Sequence, residues 1–293
     1  MTIPILRYND GSNNAPRLRM QYSLWSMIGL PVNTPIEWTL AEKFARVKAA
    51  GFEAVECWLT ESNEREHKDA LEAAGLRLVL GHTPKTLEDV RNLATQARRL
   101  DADYAFCHPL TPYTPFREAI PFLKEAQRIV NDAGFAYFVE THRNNIPESL
   151  LQAQQLIEEM PSIRLVGDFS HLVLVGEFYG WEKERAIERM DTVLQRTIAL
   201  HGRVSNGEQV QVDIGDGTGD TAQFFVRIWA RAMSHWCQGA GPGDVFPFAS
   251  ELGPPRYAIT TLDGREISDR WEQSLVIKKL AEQAWKMSEG SQL

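Results

Sequence analysis

Eight short apolar segments, each followed by a stretch with helical periodicity, constrain the fold more than any other feature of this sequence. Each has the length of a β-strand and is rich in aromatic or β-branched residues. They are Met20–Ser26, Phe52–Leu59, Leu76–His82, Asp103–His108, Phe135–Glu140, Ile163–Phe169, Thr197–Arg203 and Val245–Glu251. A strand–helix unit repeated eight times predicts an α/β protein with a (β/α)₈ (TIM) barrel.

The intervening segments carry helix signals. Thr39 and Glu42 form a predicted capping box ahead of an apolar face, and Gly51 suits the end of that helix. Further helices are predicted over 149–160, 182–196, 221–233 and 268–287. Residues 204–244 form a longer connection with a polar, glycine-rich start, which is typical of a functional loop. The alternative fold is a doubly wound open sheet, but no GxGxxG motif follows the first strand, so a dinucleotide site has no support.

Composition describes an acidic globular chain of 293 residues with a net charge of −8. This acidity argues against non-specific nucleic-acid binding, which needs a basic surface. Three cysteines without a CxxC motif indicate free thiols in a reducing compartment. Neither a secretory signal nor an apolar run of membrane-spanning length is evident. We therefore expect a cytoplasmic protein with a flexible N-terminal leader (1–18) and one barrel domain (19–293).

Polar residues fall at the ends of the predicted strands. They are His82, His108, Glu140, Asp168, His201 and Glu251. The carboxyl ends of all strands meet at one mouth of a barrel, where active sites lie, so these residues are expected to converge. Carboxylates and imidazoles gathered at one point require a neutralising cation, and this oxygen-rich set suits Mn²⁺, Mg²⁺, Co²⁺ or Zn²⁺.

The ordered motifs resemble the xylose isomerase-like TIM barrel superfamily of sugar phosphate isomerases and epimerases, a distant relative of endonuclease IV. They are Glu140 in FVETHRN, the DxxH pair in GDFSH, the HxR pair in LHGRV and Glu251 in SELGPPRY. The resemblance implies that Glu140, Asp168, His201 and Glu251 ligate one divalent metal. It also implies that Glu140 and Glu251 act as acid and base, and that His171 and Arg203 bind substrate.

The expected activity is a metal-dependent isomerisation or epimerisation of a sugar, sugar phosphate or inositol derivative. A proton beside a carbonyl is removed, and the metal stabilises the resulting enediolate. One alternative is a lyase or dehydratase that acts on a keto-sugar or keto-inositol and shares this first step. Another is an endonuclease IV-like phosphodiesterase. The endonuclease branch has an Asp-x-His pair that helps to hold a third metal, and here Asp213 is followed two residues later by Gly215 instead of a histidine, so the resemblance disfavours this activity.

Further residues are predicted to surround a small polyhydroxylated substrate. They are His82, His108, His142, Trp25 and Arg256. His82 and His108 either contact substrate hydroxyls or hold a second metal, as the endonuclease branch implies. The usual second glutamate of ketose epimerases is replaced by Ile146, so the familiar ketose pocket is in doubt. Superfamily members are often homo-oligomers, and Trp229, Trp236 and Trp285 on the outer helices are candidate interface residues. No nucleic-acid or membrane partner is expected.

Overall fold

Eight parallel strands close into a barrel in the computed structural model, which describes residues 7–178, 180 and 183–290. The strands are β1 (Arg17–Ser23), β2 (Ala54–Cys57), β3 (Arg77–His82), β4 (Ala105–Cys107), β5 (Tyr137–Glu140), β6 (Leu165–Gly167), β7 (Thr197–Gly202) and β8 (Val245–Ser250). They pair in chain order, and β1 pairs with β8 to close the cylinder. The predicted (β/α)₈ barrel is therefore confirmed. Every predicted strand segment overlaps the observed strand, although the first strand begins at Arg17 rather than Met20.

Helices surround the barrel. They are α1 (Leu40–Ala49), α2 (Glu64–Ala74), α3 (Leu87–Leu100), α4 (Phe116–Asp132), α5 (Leu150–Glu159), α6 (Phe169–Val175), α7 (Lys183–Leu194), α8 (Asp220–Cys237) and α9 (Arg270–Gly290). The capping box of Thr39 and Glu42 is present at the start of α1. Glu182, the first residue of one predicted helix, lies outside the described residues.

Helix α6 was not expected as a separate element. It follows β6 directly, and Asp168 caps it by accepting a hydrogen bond from the Ser170 amide at 3.0 Å. Its apolar residues continue the apolar run of β6, so no change of pattern marks its start. The consequence for the site is direct, because the single turn between Asp168 and His171 carries both side chains to the barrel mouth.

The amino-terminal end of the barrel is closed by residues from the leader and the first strand. Arg19 and Asp103 form a buried ion pair at 2.5 Å. Arg19 also lies over the Tyr8 ring, and Asn9 bridges to Asp244. Residues 7–16 therefore contact the barrel, and the first strand begins within the predicted leader. Residues 1–6 of that leader lie outside the described part of the chain.

The outer tryptophans pack inward. Trp229 meets Phe248 with ring centroids 5.0 Å apart, and Trp236 meets Phe246 at 5.3 Å. Trp285 contacts Trp236. The barrel of this same chain therefore accounts for the burial of these rings, and they are not evidence for an interface. Within the described ranges, no helix combines the length and apolarity needed to cross a bilayer.

Candidate active site

Carboxylates from three strands meet beside one histidine at the carboxyl end of the barrel. Glu140 ends β5, Asp168 follows β6, Glu251 follows β8 and His201 lies near the end of β7. His201 Nδ1 is 3.1 Å from Glu140 Oε1 and 3.0 Å from Glu251 Oε2. One oxygen each of Glu140, Asp168 and Glu251 lies within 4.8 Å of the other two. The structure thus brings together all four predicted metal ligands.

The spacing of these atoms fits a divalent cation. Ligands held at about 2.1 Å in an octahedron lie about 3.0 Å from their neighbours. The contacts of His201 Nδ1 with the two glutamates have this separation. His201 Nδ1 and Glu140 Oε1 are also buried without a hydrogen-bond partner, because their close approach is not aligned for a hydrogen bond. Unpaired buried donors and acceptors at metal-ligand spacing are the observation that makes these residues a suitable cation site.

A polar chain inside the barrel holds the opposite edge of the His201 ring. Glu56 Oε1 lies 3.2 Å from His201 Nε2. Gln21 donates a hydrogen bond to the same oxygen at 2.6 Å and contacts the Tyr104 hydroxyl. A carboxylate against the remote nitrogen of a ligating imidazole fixes the ring and raises its basicity. Glu56 on β2 thus places a carboxylate beside Nε2, which has no aligned hydrogen bond, while Nδ1 faces Glu140 and Glu251.

Arg203 supplies fixed positive charge beside the carboxylates. Its Nε lies 3.2 Å from Asp168 Oδ2, and one terminal nitrogen donates to Glu251 Oε2 at 2.9 Å. The guanidinium packs against the Tyr257 ring at 4.5 Å and the Trp25 ring at 5.5 Å. The other terminal nitrogen, Nη1, is buried without a hydrogen-bond partner. Arg203 is consequently clamped in place with one donor still available to a ligand.

The protonation states follow from burial and from these charges. Burial would raise the pKa of Glu140, but the charges of His201 and His108 outweigh it and hold that pKa well below its ordinary value. Burial raises the pKa of Asp168 to about 6, against the opposing charge of Arg203. Burial would lower the pKa of His201, but the surrounding carboxylates, led by Glu140, raise it well above its ordinary value. Glu140 is thus a carboxylate at neutral pH.

Three histidines line up along one side of this cluster. His108 Nε2 lies 2.6 Å from Glu140 Oε2, which fixes the second oxygen of that carboxylate. The rings of His108 and His142 stack at 4.3 Å, and His142 and His171 follow at 4.1 Å. Burial lowers the pKa of His142 to about 4 and that of His171 well below its ordinary value, so both are neutral. Neither ring nitrogen of His171 has a hydrogen-bond partner.

The tautomer of His142 is determined by its neighbours. Asn145 donates its amide hydrogens to the backbone oxygens of His108 and Leu110, so its Oδ1 must accept from His142 Nδ1 at 3.1 Å. His142 Nε2 is then an acceptor, 3.4 Å from the Tyr257 hydroxyl. The histidine row therefore presents both hydrogen-bond donors and acceptors, as recognition of hydroxyl groups requires.

A cavity of about 610 Å³ opens over this cluster. It is lined by Leu24, Trp25, Ile28, Leu40, Lys43, Trp58, His67, His108, His142, Arg203, Glu251 and Tyr257. Its size lies within the range of about 300–1,000 Å³ found for small-molecule sites. The predicted residues Trp25, His108, His142 and Arg203 therefore share one cavity with Glu251.

Other predicted residues lie elsewhere. His82 contacts the Tyr137 hydroxyl at 3.3 Å and does not line the cavity, and His108 is grouped with Glu140 and His142 instead. Arg256 is exposed with φ of 98°, and the neighbouring Tyr257 takes the place expected for it. Asp213 accepts a hydrogen bond from Ser268, outside the carboxylate cluster, and among residues 7–178, 180 and 183–290 it belongs to no group of potential metal ligands.

Several cavity residues were missed by sequence reasoning. Lys43 and Leu24 carry no motif, and His67 has the spacing of an ordinary helical residue. Ile146, the position where ketose epimerases carry a glutamate, is fully buried in the core. Tyr257 ends the SELGPPRY motif, and that position was the signal that could have identified it.

Comparisons with solved structures define the class of fold. The chain has the fold of xylose isomerase-like TIM barrel proteins. One such protein from Mycobacterium smegmatis, solved with magnesium, shares 15% identity at a TM-score of 0.56, covering 94% of this chain and 98% of that chain. A candidate xylose isomerase from Rhodospirillum rubrum shares 14% identity at a TM-score of 0.57, with coverage of 90% and 99%.

A third similar structure is AsbF of Bacillus anthracis, a candidate 3-DHS dehydratase involved in petrobactin synthesis. It shares 14% identity at a TM-score of 0.52, covering 90% of this chain and 98% of that chain. No protein-family model matches the sequence, and no curated protein matches it. Identities this low establish the common fold, and the chemistry of this chain must be argued from its own site.

Proposed function

We propose that this protein is a divalent-metal-dependent isomerase or epimerase of a polyhydroxylated ketone, a sugar or an inositol derivative. The observation that carries the proposal is the convergence of Glu140 and Glu251 on His201 Nδ1 at 3.1 and 3.0 Å, next to a cavity of about 610 Å³ that Glu251 lines. Two carboxylates from strands on different sides of a barrel can reach the two faces of one substrate carbon. Glu140, Asp168, His201 and Glu251 would hold the cation.

Glu140 is suited to remove the proton beside the carbonyl. Its pKa is held low by His201 and His108, so the carboxylate is the form present at neutral pH. The bond from His108 leaves Glu140 Oε1 as the oxygen without a partner. Glu251, bonded to Arg203, is placed to deliver from the other side a proton that it takes from solvent, while Glu140 releases the proton it removed to solvent.

The remaining polar groups are suited to hold substrate oxygens. Arg203 lines the cavity with Nη1 as a fixed, unused donor. His171 is neutral but fully buried, with Nε2 3.5 Å from Asp168, and it is not among the residues that line the cavity. A bound divalent cation would supply electrostatic stabilisation of the negative charge that develops on the enediolate oxygens. His142 offers an acceptor to a substrate hydroxyl, because its Nδ1 proton is committed to Asn145.

Proton exchange tests this mechanism directly. The Mn²⁺-loaded protein is incubated in D₂O with D-fructose, D-tagatose, D-psicose and 2-keto-myo-inositol, and deuterium at the carbon beside the carbonyl is measured by NMR. We expect label uptake in at least one ketone. Glu140→Gln and Glu251→Gln should each slow it by about 10²–10⁴-fold, the usual contribution of a positioned general base. Glu158→Gln, on the exposed outer surface of α5, is the matched control.

The outcomes separate the competing activities. Isomerisation without label at the reacting carbon would indicate a hydride shift and overturn the proton-abstraction step, and a lack of exchange in every ketone would count equally against it. Label uptake with loss of a β-substituent would assign the protein to the lyases, which share the first step. Tight, strongly salt-dependent binding to abasic duplex DNA would favour the phosphodiesterase alternative.

A further inference from the structure

The cavity above the carboxylate cluster has two chemically different halves. The half formed after β4, β5, β7 and β8 presents His108, His142, Arg203 and Glu251. The opposite half is formed after β1 and β2. Its apolar lining residues are Leu24, Trp25, Ile28, Leu40 and Trp58. A bare sugar or inositol ring has hydroxyl groups around its whole edge, and the apolar half offers them few partners.

We propose that the substrate carries a flat apolar substituent, such as an aryl group, beside its polyhydroxylated ring, and that the half formed after β1 and β2 holds this substituent. The inference rests on the proposed function, because the ring is placed over Glu140 and Glu251. It adds the class of substrate that binds most tightly, which is an aryl-substituted sugar or polyol. A free ketone would still reach Glu140 and Glu251 but would bind less tightly.

The exposure of the apolar wall supports this assignment. Ile28 is 50% exposed and Trp25, Leu24 and Leu40 are partly buried, although each lies next to a well-packed barrel. Apolar side chains grouped on a concave surface that already contains polar recognition groups mark a ligand site. Trp25 meets Tyr257 edge to face at 5.0 Å, and the Tyr257 ring in turn packs against the Arg203 guanidinium. The apolar wall therefore extends to the arginine that contacts the carboxylates. The apolar half is thus continuous with the reacting centre.

The charged residues of this half do not form an anion site. Lys43 is paired with Glu37, which neutralises it at the rim. His67 Nδ1 bonds to the Asn63 carbonyl at 2.8 Å, so that nitrogen is committed to the backbone of its own helix start. A phosphate on the substrate would meet one paired lysine and no arginine among these residues. An uncharged planar group fits the half better than a phosphate does.

Matched pairs of ligands test the proposal without any turnover. Methyl and phenyl β-glycosides of glucose, galactose and xylose are titrated into the Mg²⁺-loaded protein by calorimetry, and saturation-transfer NMR identifies the ligand protons in contact. We expect the phenyl member of at least one pair to bind about tenfold more tightly, as burial of a small apolar group predicts. Saturation should be strongest on the phenyl protons.

Two isoleucines of the same β1–α1 connection provide the variants. Ile28 lines the cavity and is 50% exposed, whereas Ile36 is 78% exposed and does not line it. Because neither is buried, neither change should unfold the protein. Ile28→Asn should reduce the phenyl-to-methyl affinity ratio by about threefold or more, and Ile36→Asn should leave the ratio unchanged.

Each result decides the proposal. Equal affinities in every pair, failure of all the glycosides to bind, or a phenyl preference that survives Ile28→Asn would overturn it. Its failure is distinguishable from that of the proposed function. Deuterium exchange with no phenyl preference removes this inference alone. A phenyl preference that depends on Ile28, without exchange in any ketone, removes the proposed chemistry and leaves the binding site.

Discussion

Removal of the Glu56 charge should weaken metal binding although Glu56 is not itself placed among the four ligands. Glu56 is fully buried on β2, with Oε1 3.2 Å from His201 Nε2. Glu56→Gln keeps the size of the side chain and deletes its charge. The change acts on the cation through the basicity and the orientation of the His201 ring.

The size of the effect can be worked from this contact. Two full charges separated by 3.2 Å at an effective dielectric constant near 20 interact by about 5 kcal/mol. Only part of this interaction bears on the cation. Loss of a group that orients a ligating histidine typically weakens metal binding by about 10–100-fold. We therefore expect the dissociation constant for Mn²⁺ to rise by about tenfold to a hundredfold, which corresponds to about 1.4–2.7 kcal/mol.

Calorimetric titration of Mn²⁺ into the metal-free protein measures this constant. Glu158→Gln, on the outer surface of α5, controls for the loss of one negative charge from the whole molecule. The melting temperature of each metal-free variant shows that the fold is retained. An unchanged Mn²⁺ affinity in a folded Glu56→Gln protein would refute the argument that Glu56 orients His201 for ligation.

Three other predictions follow from the same structure. Mn²⁺ at about one hundred times its dissociation constant should stabilise the fold by about 2.7 kcal/mol. In scanning calorimetry this is a rise in Tm of about 5 °C, which EDTA should reverse. An unchanged Tm would contradict a preformed site. Arg203→Met leaves Asp168 and Glu251 buried without their guanidinium and should cost about 3–5 kcal/mol in urea unfolding of the metal-free protein; an unchanged midpoint would mean that the ion pairs contribute nothing. Burial lowers the pKa of His82 to about 4, below its value in the unfolded chain, so the unfolded chain binds the extra proton and stability is lost as the pH falls from 6.5 toward 4. His82→Gln should remove about 1–2 kcal/mol of that loss at pH 5. Urea unfolding at pH 5 and pH 7 measures the loss, and an equal change in the free energy of unfolding in both proteins would contradict the prediction.

The barrel was predictable because its strands are buried on both faces. A parallel strand in that position is a short, continuous apolar run, and segments such as FAYFVE and VFPFAS stand out between amphipathic helices. Helix α6 was not predictable in this way, because its apolar residues follow those of β6 without a turn signal. The start of β1 was placed late because Arg17 and Arg19 are charged, yet both are paired with acidic residues, Glu53 and Asp103.

Topology predicted that polar residues at strand ends approach one another, and five of the six do, while His82 does not. The choice of Glu140, Asp168, His201 and Glu251 as candidate metal ligands came from the resemblance to the superfamily. The cavity walls obey no such rule, since loop geometry sets them. The Gly253-Pro254-Pro255 turn shows the difference. The chain leaves it with Arg256 at φ 98° and exposed, so Tyr257, one residue later, reaches Arg203 and the cavity. Sequence spacing alone does not determine which of two adjacent side chains faces inward.

The same electrostatics explains why this cluster would suit a divalent cation. Glu56, Glu140, Asp168 and Glu251 are all buried, and Arg203 balances one of their charges. His201 and His108 respond with raised pKa values, so protons supply part of the missing positive charge. Ligation requires the neutral imidazole, so binding of a divalent cation would release the His201 proton. The charge of the cation would replace the positive charge of that proton, and Glu140 would stay ionised.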